Sequence, residues 1–115
     1  MVRRKEEMKV SRSKLKNGVG EAELIDILEM EDLHGTGRFF GITRMKPGVT
    51  NGVHTHVGDF ETYYILKGTA RVNDNGEFYE LHPGDMVQCR DGEFHGLECI
   101  GDEDLEYLSV ILYSR

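Results

Sequence analysis

Glycine-bearing turns recur along this chain about every eight to twelve residues, which leaves room for strands but little for helices. Asn17-Gly18 and Gly20 precede AELIDILE, and Gly35 and Gly37 precede RFFGITRM. Pro47-Gly48, Gly68, Asp74-Asn75-Gly76, Pro83-Gly84-Asp85, Asp91-Gly92 and Gly101-Asp102 follow in order. Pro47 cannot continue a strand ladder, because it lacks an N–H. Asn75 and Gly76 tolerate positive φ and suit a tight hairpin. The runs between turns, such as ETYYIL, TARVN and LEYLSVILY, are β-branched and aromatic, and the last is rich enough to be central. AELIDILE is ambiguous, since its apolar spacing also fits a short helix. Residues 30–34 leave space for a single turn before Gly35. The expectation is an all-β fold of some eight strands in antiparallel sheets.

One stretch of that frame carries chemistry. Gly48 to Gly68 reads GVTNGVHTHVGDFETYYILKG, with His54 and His56 one residue apart and Glu61 five residues on. Side chains repeat every two residues in a strand, so both rings point to one face. Glu61 breaks that parity. The chain must bend within residues 57–60, and Gly58 is the residue that permits it. Glu61 can then return from a second strand to the same point. His95, in GDMVQCRDGEFHG, is a fourth candidate. Imidazole and carboxylate are the donors that hold Mn, Fe, Ni, Cu or Zn. Three neutral imidazoles and one carboxylate leave about two positions open on a six-coordinate divalent ion. Through them the metal can polarise a ligand, acidify water or orient a chelating group.

These residues closely resemble the two motifs of the cupin superfamily. Gly48, His54, His56, Glu61 and Gly68 fill every fixed position of the first. Gly84, Gly92 and His95 match the second, with Arg90 where the family often has Pro and Cys99 where it often has Asn. The resemblance covers roughly residues 37 to 112. It implies a double-stranded β-helix, the jelly-roll barrel, with one divalent transition metal ion (Mn, Fe, Ni or Zn) on His54, His56, Glu61 and His95. It also implies a metal-dependent enzyme of dioxygenase, decarboxylase or isomerase type acting on a small polar molecule. The alternative is a non-catalytic module that binds or senses a small ligand or metal. Fold analogy does not assign the reaction.

Charge narrows the partners. Residues 1–16 hold seven basic and two acidic side chains, a net +5, whereas the remaining body carries −12, and together they give the net −7. An acidic body repels nucleic acid. No apolar run is long enough to cross a membrane, and the polar N-terminus is unlike a signal peptide, so cytoplasmic residence is expected. Residues 1–20 read as a partly ordered basic arm, exposed or docked on acidic surface, and 21–115 as one barrel domain.

Other side chains have weaker assignments. Tyr63 is a candidate acid or hydrogen-bond donor, or else an aromatic core filler. Asp59 and Asp85 are candidates to orient the imidazoles, and Arg44 and Gln88 to bind a carboxylate. Cys89 and Cys99 are expected to be free. If strands 86–90 and 94–100 pair about Asp91-Gly92-Glu93, Cys89 faces His95. Arg90, His34 and His82 read as exposed. The parity of Glu61 sends Tyr63 and Ile65 inward, and Thr62, Tyr64 and Leu66 outward. So apolar an outer face points to a homodimer, unless it packs on the chain's own N-terminal strand.

Overall fold

A computed structural model describes all 115 residues. Ten strands make up the fold: β1 Lys9–Ser13, β2 Ala22–Leu28, β3 Gly37–Met45, β4 Thr50–Thr55, β5 Asp59–Lys67, β6 Thr69–Asp74, β7 Glu77–Leu81, β8 Met86–Cys89, β9 Phe94–Ile100 and β10 Leu105–Tyr113. Six form one antiparallel sheet in the order β1-β2-β3-β10-β5-β8, and four form a second in the order β4-β9-β6-β7. The two sheets enclose a barrel interior, as expected of a double-stranded β-helix. AELIDILE is a strand, and Met30–Leu33 is a single 3-10 turn closed by His34 at φ +52°. LEYLSVILY lies between β3 and β5, so it is central. Asn75 and Gly76 take positive φ at the β6–β7 hairpin.

The expected pairing of 86–90 with 94–100 does not occur. β8 pairs with β5 in the larger sheet, while β9 pairs with β4 and β6 in the smaller. The Asp91-Gly92 turn therefore carries the chain between sheets. Cys89 sits opposite Glu61, not His95, and both thiols are free and buried. Residues 56–58 make the same crossing in β4–β5. The two crossings clasp each other: the His56 N–H donates to the Glu93 carbonyl (3.0 Å), and the Gly92 N–H donates to the His56 carbonyl (2.7 Å).

The basic segment contributes β1, an exposed edge strand paired with β2. Arg3 bonds Asp32 (2.8 Å) and Arg12 bonds Glu23 (3.0 Å). Beyond β1, Leu15 bridges Asn51 in β4.

The interior is graded. One end is an apolar plug built around Met45, Ile65, Val72, Leu97, Cys99 and Leu105, all buried. Removing a side chain such as Ile65 down to Ala there costs about 2–5 kcal/mol. Along β5 the inward positions run Ile65, Tyr63, Glu61, Asp59, from apolar to charged. Along β10 they run Leu105, Tyr107, Ser109. The outer face of the larger sheet is also apolar. Tyr64 and Leu66 are each 43% exposed there, beside half-buried Ile42, Leu108 and Val110. They do not pack on β1, which lies at the opposite edge of the sheet.

Candidate metal centre

The polar end of the barrel collects His54, His56, Glu61 and His95, one candidate ligand atom from each lying within 4.8 Å of the others. His54 belongs to β4 and His56 lies one residue beyond it, His95 is the second residue of β9 in the same sheet, and Glu61 arrives from the facing sheet on β5. Gly58, at φ +81°, makes the bend between them, as the parity of the sequence demands. His54 and His95 are directly opposite in the β4–β9 register.

Most of the separations match those a coordination shell would have, and the His54–Glu61 distance is wider. His95 Nε2 is 3.0 Å from His54 Nε2 and 3.1 Å from His56 Nε2. Glu61 Oε1 is 3.1 Å from His56 Nε2, 3.2 Å from His95 Nε2 and 3.8 Å from His54 Nε2. A cation with bonds of about 2.0–2.2 Å to N and O holds adjacent ligand atoms roughly 3.0–3.5 Å apart. Lone pairs on three nitrogens this close repel unless a proton or a cation lies among them. The four residues therefore could hold a metal ion.

Outer contacts orient two of the rings. His54 Nδ1–H donates to the Gly52 carbonyl (2.7 Å), and His56 Nδ1–H donates to Asp59 Oδ1 (2.7 Å). In those tautomers each Nε2 keeps its lone pair for the cluster. Asp59 is held in turn by Arg38 Nε at 2.8 Å. The Ser109 hydroxyl donates to the second oxygen of Glu61. His95 Nδ1 is buried without a partner, and its ring stacks on Tyr63 at 4.9 Å between centroids.

These contacts set the charges. Hydrogen bonding to the Glu61 and Asp59 carboxylates raises His56 above the ordinary imidazole range, against its burial. Burial lowers His95, and Glu61 only partly offsets it. Burial alone would raise the Glu61 carboxyl, but His54, His56, His95 and Ser109 together hold it well below the usual range. Asp59 is likewise lowered, its burial outweighed by Arg38 and His56. The cluster thus keeps a carboxylate beside imidazoles, as metal binding requires.

A cavity of about 190 Å³ opens onto His54, His56 and Glu61. Tyr63 is not among its lining residues. That ring lies in the core, stacked on His95, and its hydroxyl accepts from Asn51 Nδ2 at 3.2 Å. Burial, and secondarily Glu61, push the Tyr63 phenol well above its ordinary value.

Of the two residues expected to orient imidazoles, Asp59 does so. Asp85 instead accepts from the His82 backbone N–H (2.8 Å) at a distant turn. Arg44 does not face the cavity. It points outward to Glu23 (2.7 Å) and Glu106 (3.3 Å). Gln88 also points outward, to Thr62. Their register runs one residue away from the inward face.

The cavity instead holds Arg38, Lys16, Thr43, Asn51 and Ser109, none of which sequence reasoning singled out. Asn51 was hidden by a β-bulge. The β4–β9 register slips between Asn51 and His54, so both line the cavity despite their odd spacing. Gly52 was the available signal. A Cβ there would lie 2.0 Å from the Lys16 carbonyl oxygen, so the backbones of this bulge and the 15–18 segment meet too closely for any other residue.

Comparison with known proteins agrees with this geometry. A family profile described as "Cupin domain" matches residues 41–111. An "oxalate-binding protein" of Thermotoga maritima is 39% identical over 100 residues, covering 87% of this chain and 83% of that protein. A "5-nitrosalicylic acid 1,2-dioxygenase" of Bradyrhizobium is 30% identical over 103 residues, covering 85% of this chain but only 46% of that longer protein. The crystal structure of a "predicted oxalate decarboxylase" from Thermotoga maritima superposes with a TM-score of 0.93 at 38% identity. That match covers 99% of this chain and 100% of the other.

Proposed function

The chain belongs to the cupin family, and from that premise we propose that it is a metal-dependent cupin enzyme acting on a small carboxylate. The observation that carries this reading is the four-residue cluster, its ligand atoms about one coordination edge apart, beside an open cavity. His54, His56, Glu61 and His95 would hold one divalent ion, and the donor set suits Mn, Fe, Ni and Zn alike. When bound, the ion supplies Lewis-acid polarisation of a chelating carboxylate.

The chain's own residues do the rest. Asp59 fixes the His56 ring and Ser109 fixes Glu61. Arg38 and Lys16, both solvent-facing and both lining the cavity, attract an anion that an otherwise acidic surface would repel. Glu61 is the sole carboxylate in the cavity wall. Tyr63 acts by positioning His95 through stacking. The names borne by relatives, an oxalate binder and an aromatic-acid dioxygenase, support a carboxylate and leave the reaction type to experiment.

We further infer a homodimer joined through the outer face around Tyr64 and Leu66. A cytoplasmic location is supported by the free buried thiols of Cys89 and Cys99. No helix is long and apolar enough to cross a membrane.

The test is elemental analysis of protein purified without a histidine tag. It is followed by a screen of small carboxylates that monitors dioxygen uptake and carbon dioxide release. One equivalent of a first-row metal with turnover of at least one acid is expected. Failure to bind any such metal, or to turn over any acid, overturns the reading.

A further inference from the structure

The cavity is larger and more apolar than a two-carbon dicarboxylate requires. Its volume is about 190 Å³, whereas a dry cavity of about 150 Å³ lined by Leu, Ile and Phe accepts benzene. Room therefore exists for a six-membered ring and a polar head beside it. The walls are of matching chemistry: Leu15, Leu24, Phe39, Tyr107 and Ile111. They come from the segment after β1 and from β2, β3 and β10, three neighbouring strands of the larger sheet, so the apolar side chains make one continuous wall.

Polar groups are segregated. His54, His56 and Glu61 lie at the buried end. The cations Arg38 and Lys16 are the solvent-exposed members. A bare oxalate would engage the metal end and leave these apolar side chains facing water. A ring would cover them, and burying apolar surface is favourable.

We propose that this cavity selects a carboxylate carrying a ring-sized apolar body, an aryl or cycloalkyl acid. Its carboxylate and adjacent oxygen meet the cluster, and its body lies against Leu24, Phe39 and Ile111. The inference rests on the metal-dependent carboxylate reading above and narrows its substrate class.

Two acids with the same head test it. Mandelate and glycolate are both 2-hydroxycarboxylates and differ by a phenyl group. Protein loaded with one equivalent of Mn²⁺ is titrated with each by calorimetry, with oxalate as a third ligand, and metal content is checked afterwards. Mandelate is expected to bind at least tenfold more tightly than glycolate. Leu24→Phe, which fills the cavity, is expected to weaken mandelate at least tenfold and leave glycolate within twofold. Leu24→Ala, which enlarges it, should retain mandelate. Equal affinities of the wild-type protein for mandelate and glycolate overturn the inference. If oxalate and glycolate then still bind, the carboxylate reading stands without it. Failure of all three acids to bind overturns both.

Discussion

His56 and Asp59 form a buried pair in which Nδ1–H donates to Oδ1 over 2.7 Å, with Arg38 holding the other carboxylate oxygen. This bond fixes both the tautomer and the angle of an imidazole that faces three other candidate ligands. Removing it by Asp59→Ala is expected to lower metal affinity about 10- to 100-fold without abolishing binding. Competition against a fluorescent chelator measures this, and an unchanged affinity would show that Asp59 has no part in orienting the ring.

His56→Ala removes a ligand rather than its support. The variant should lose stoichiometric metal and, with it, turnover. Mass-spectrometric elemental analysis after dialysis decides the point. A full equivalent of metal retained by the folded variant would remove His56 from the ligand set.

The metal-free site is expected to respond to pH in a defined direction. His56 is raised above 6.5 by Glu61 and Asp59. Its protonated form therefore stabilises the apo protein fully below about pH 6.5. That contribution disappears as pH rises through the higher folded value. Glu61 is depressed well below 4.5, so its contribution persists above the usual glutamate range and fades only in stronger acid. A cation must displace the His56 proton, so affinity should climb with pH across the window just above 6.5. Calorimetry in buffers of different ionisation enthalpy should register proton release there, and none would be seen if His56 were already neutral.

Gly52→Ala places a Cβ against the Lys16 carbonyl, where it would be 2.0 Å away. Backbone on both sides must shift, so a loss of about 1–3 kcal/mol or more is expected in denaturant unfolding. Neutral behaviour would mean that the bulge is not as close-packed as it is here.

Tyr64→Arg puts a charge at the centre of the exposed apolar face. Light scattering should find the wild-type protein dimeric and the variant shifted to monomer. A dimeric variant would place the interface elsewhere.

Much of this was legible in the sequence. Turn spacing disclosed the all-β class, and the parity break between His56 and Glu61 disclosed the bend at Gly58, because period two is a rigid property of strands. Sheet partnership was less readable. Asp91-Gly92 looks like a hairpin turn, and nothing local distinguishes a hairpin from a crossing between sheets. Arg44 and Gln88 failed on register, since one residue of slip reverses a side chain's face. Asn51 was lost to a bulge, and Arg38 to the distance of 21 residues that separates it from Asp59. Leu15 and Lys16 were set aside with the basic arm, although they line the cavity.

Ser109 sits in β10, the last strand, and holds a carboxylate made 48 residues earlier. A ribosome-bound fragment ending before it would already contain all four candidate ligands, yet lack the hydroxyl that aims one of them and the central strand that joins β3 to β5. Tight ion capture during synthesis should therefore lag behind the emergence of the histidines and wait for β10 to take its place between β3 and β5.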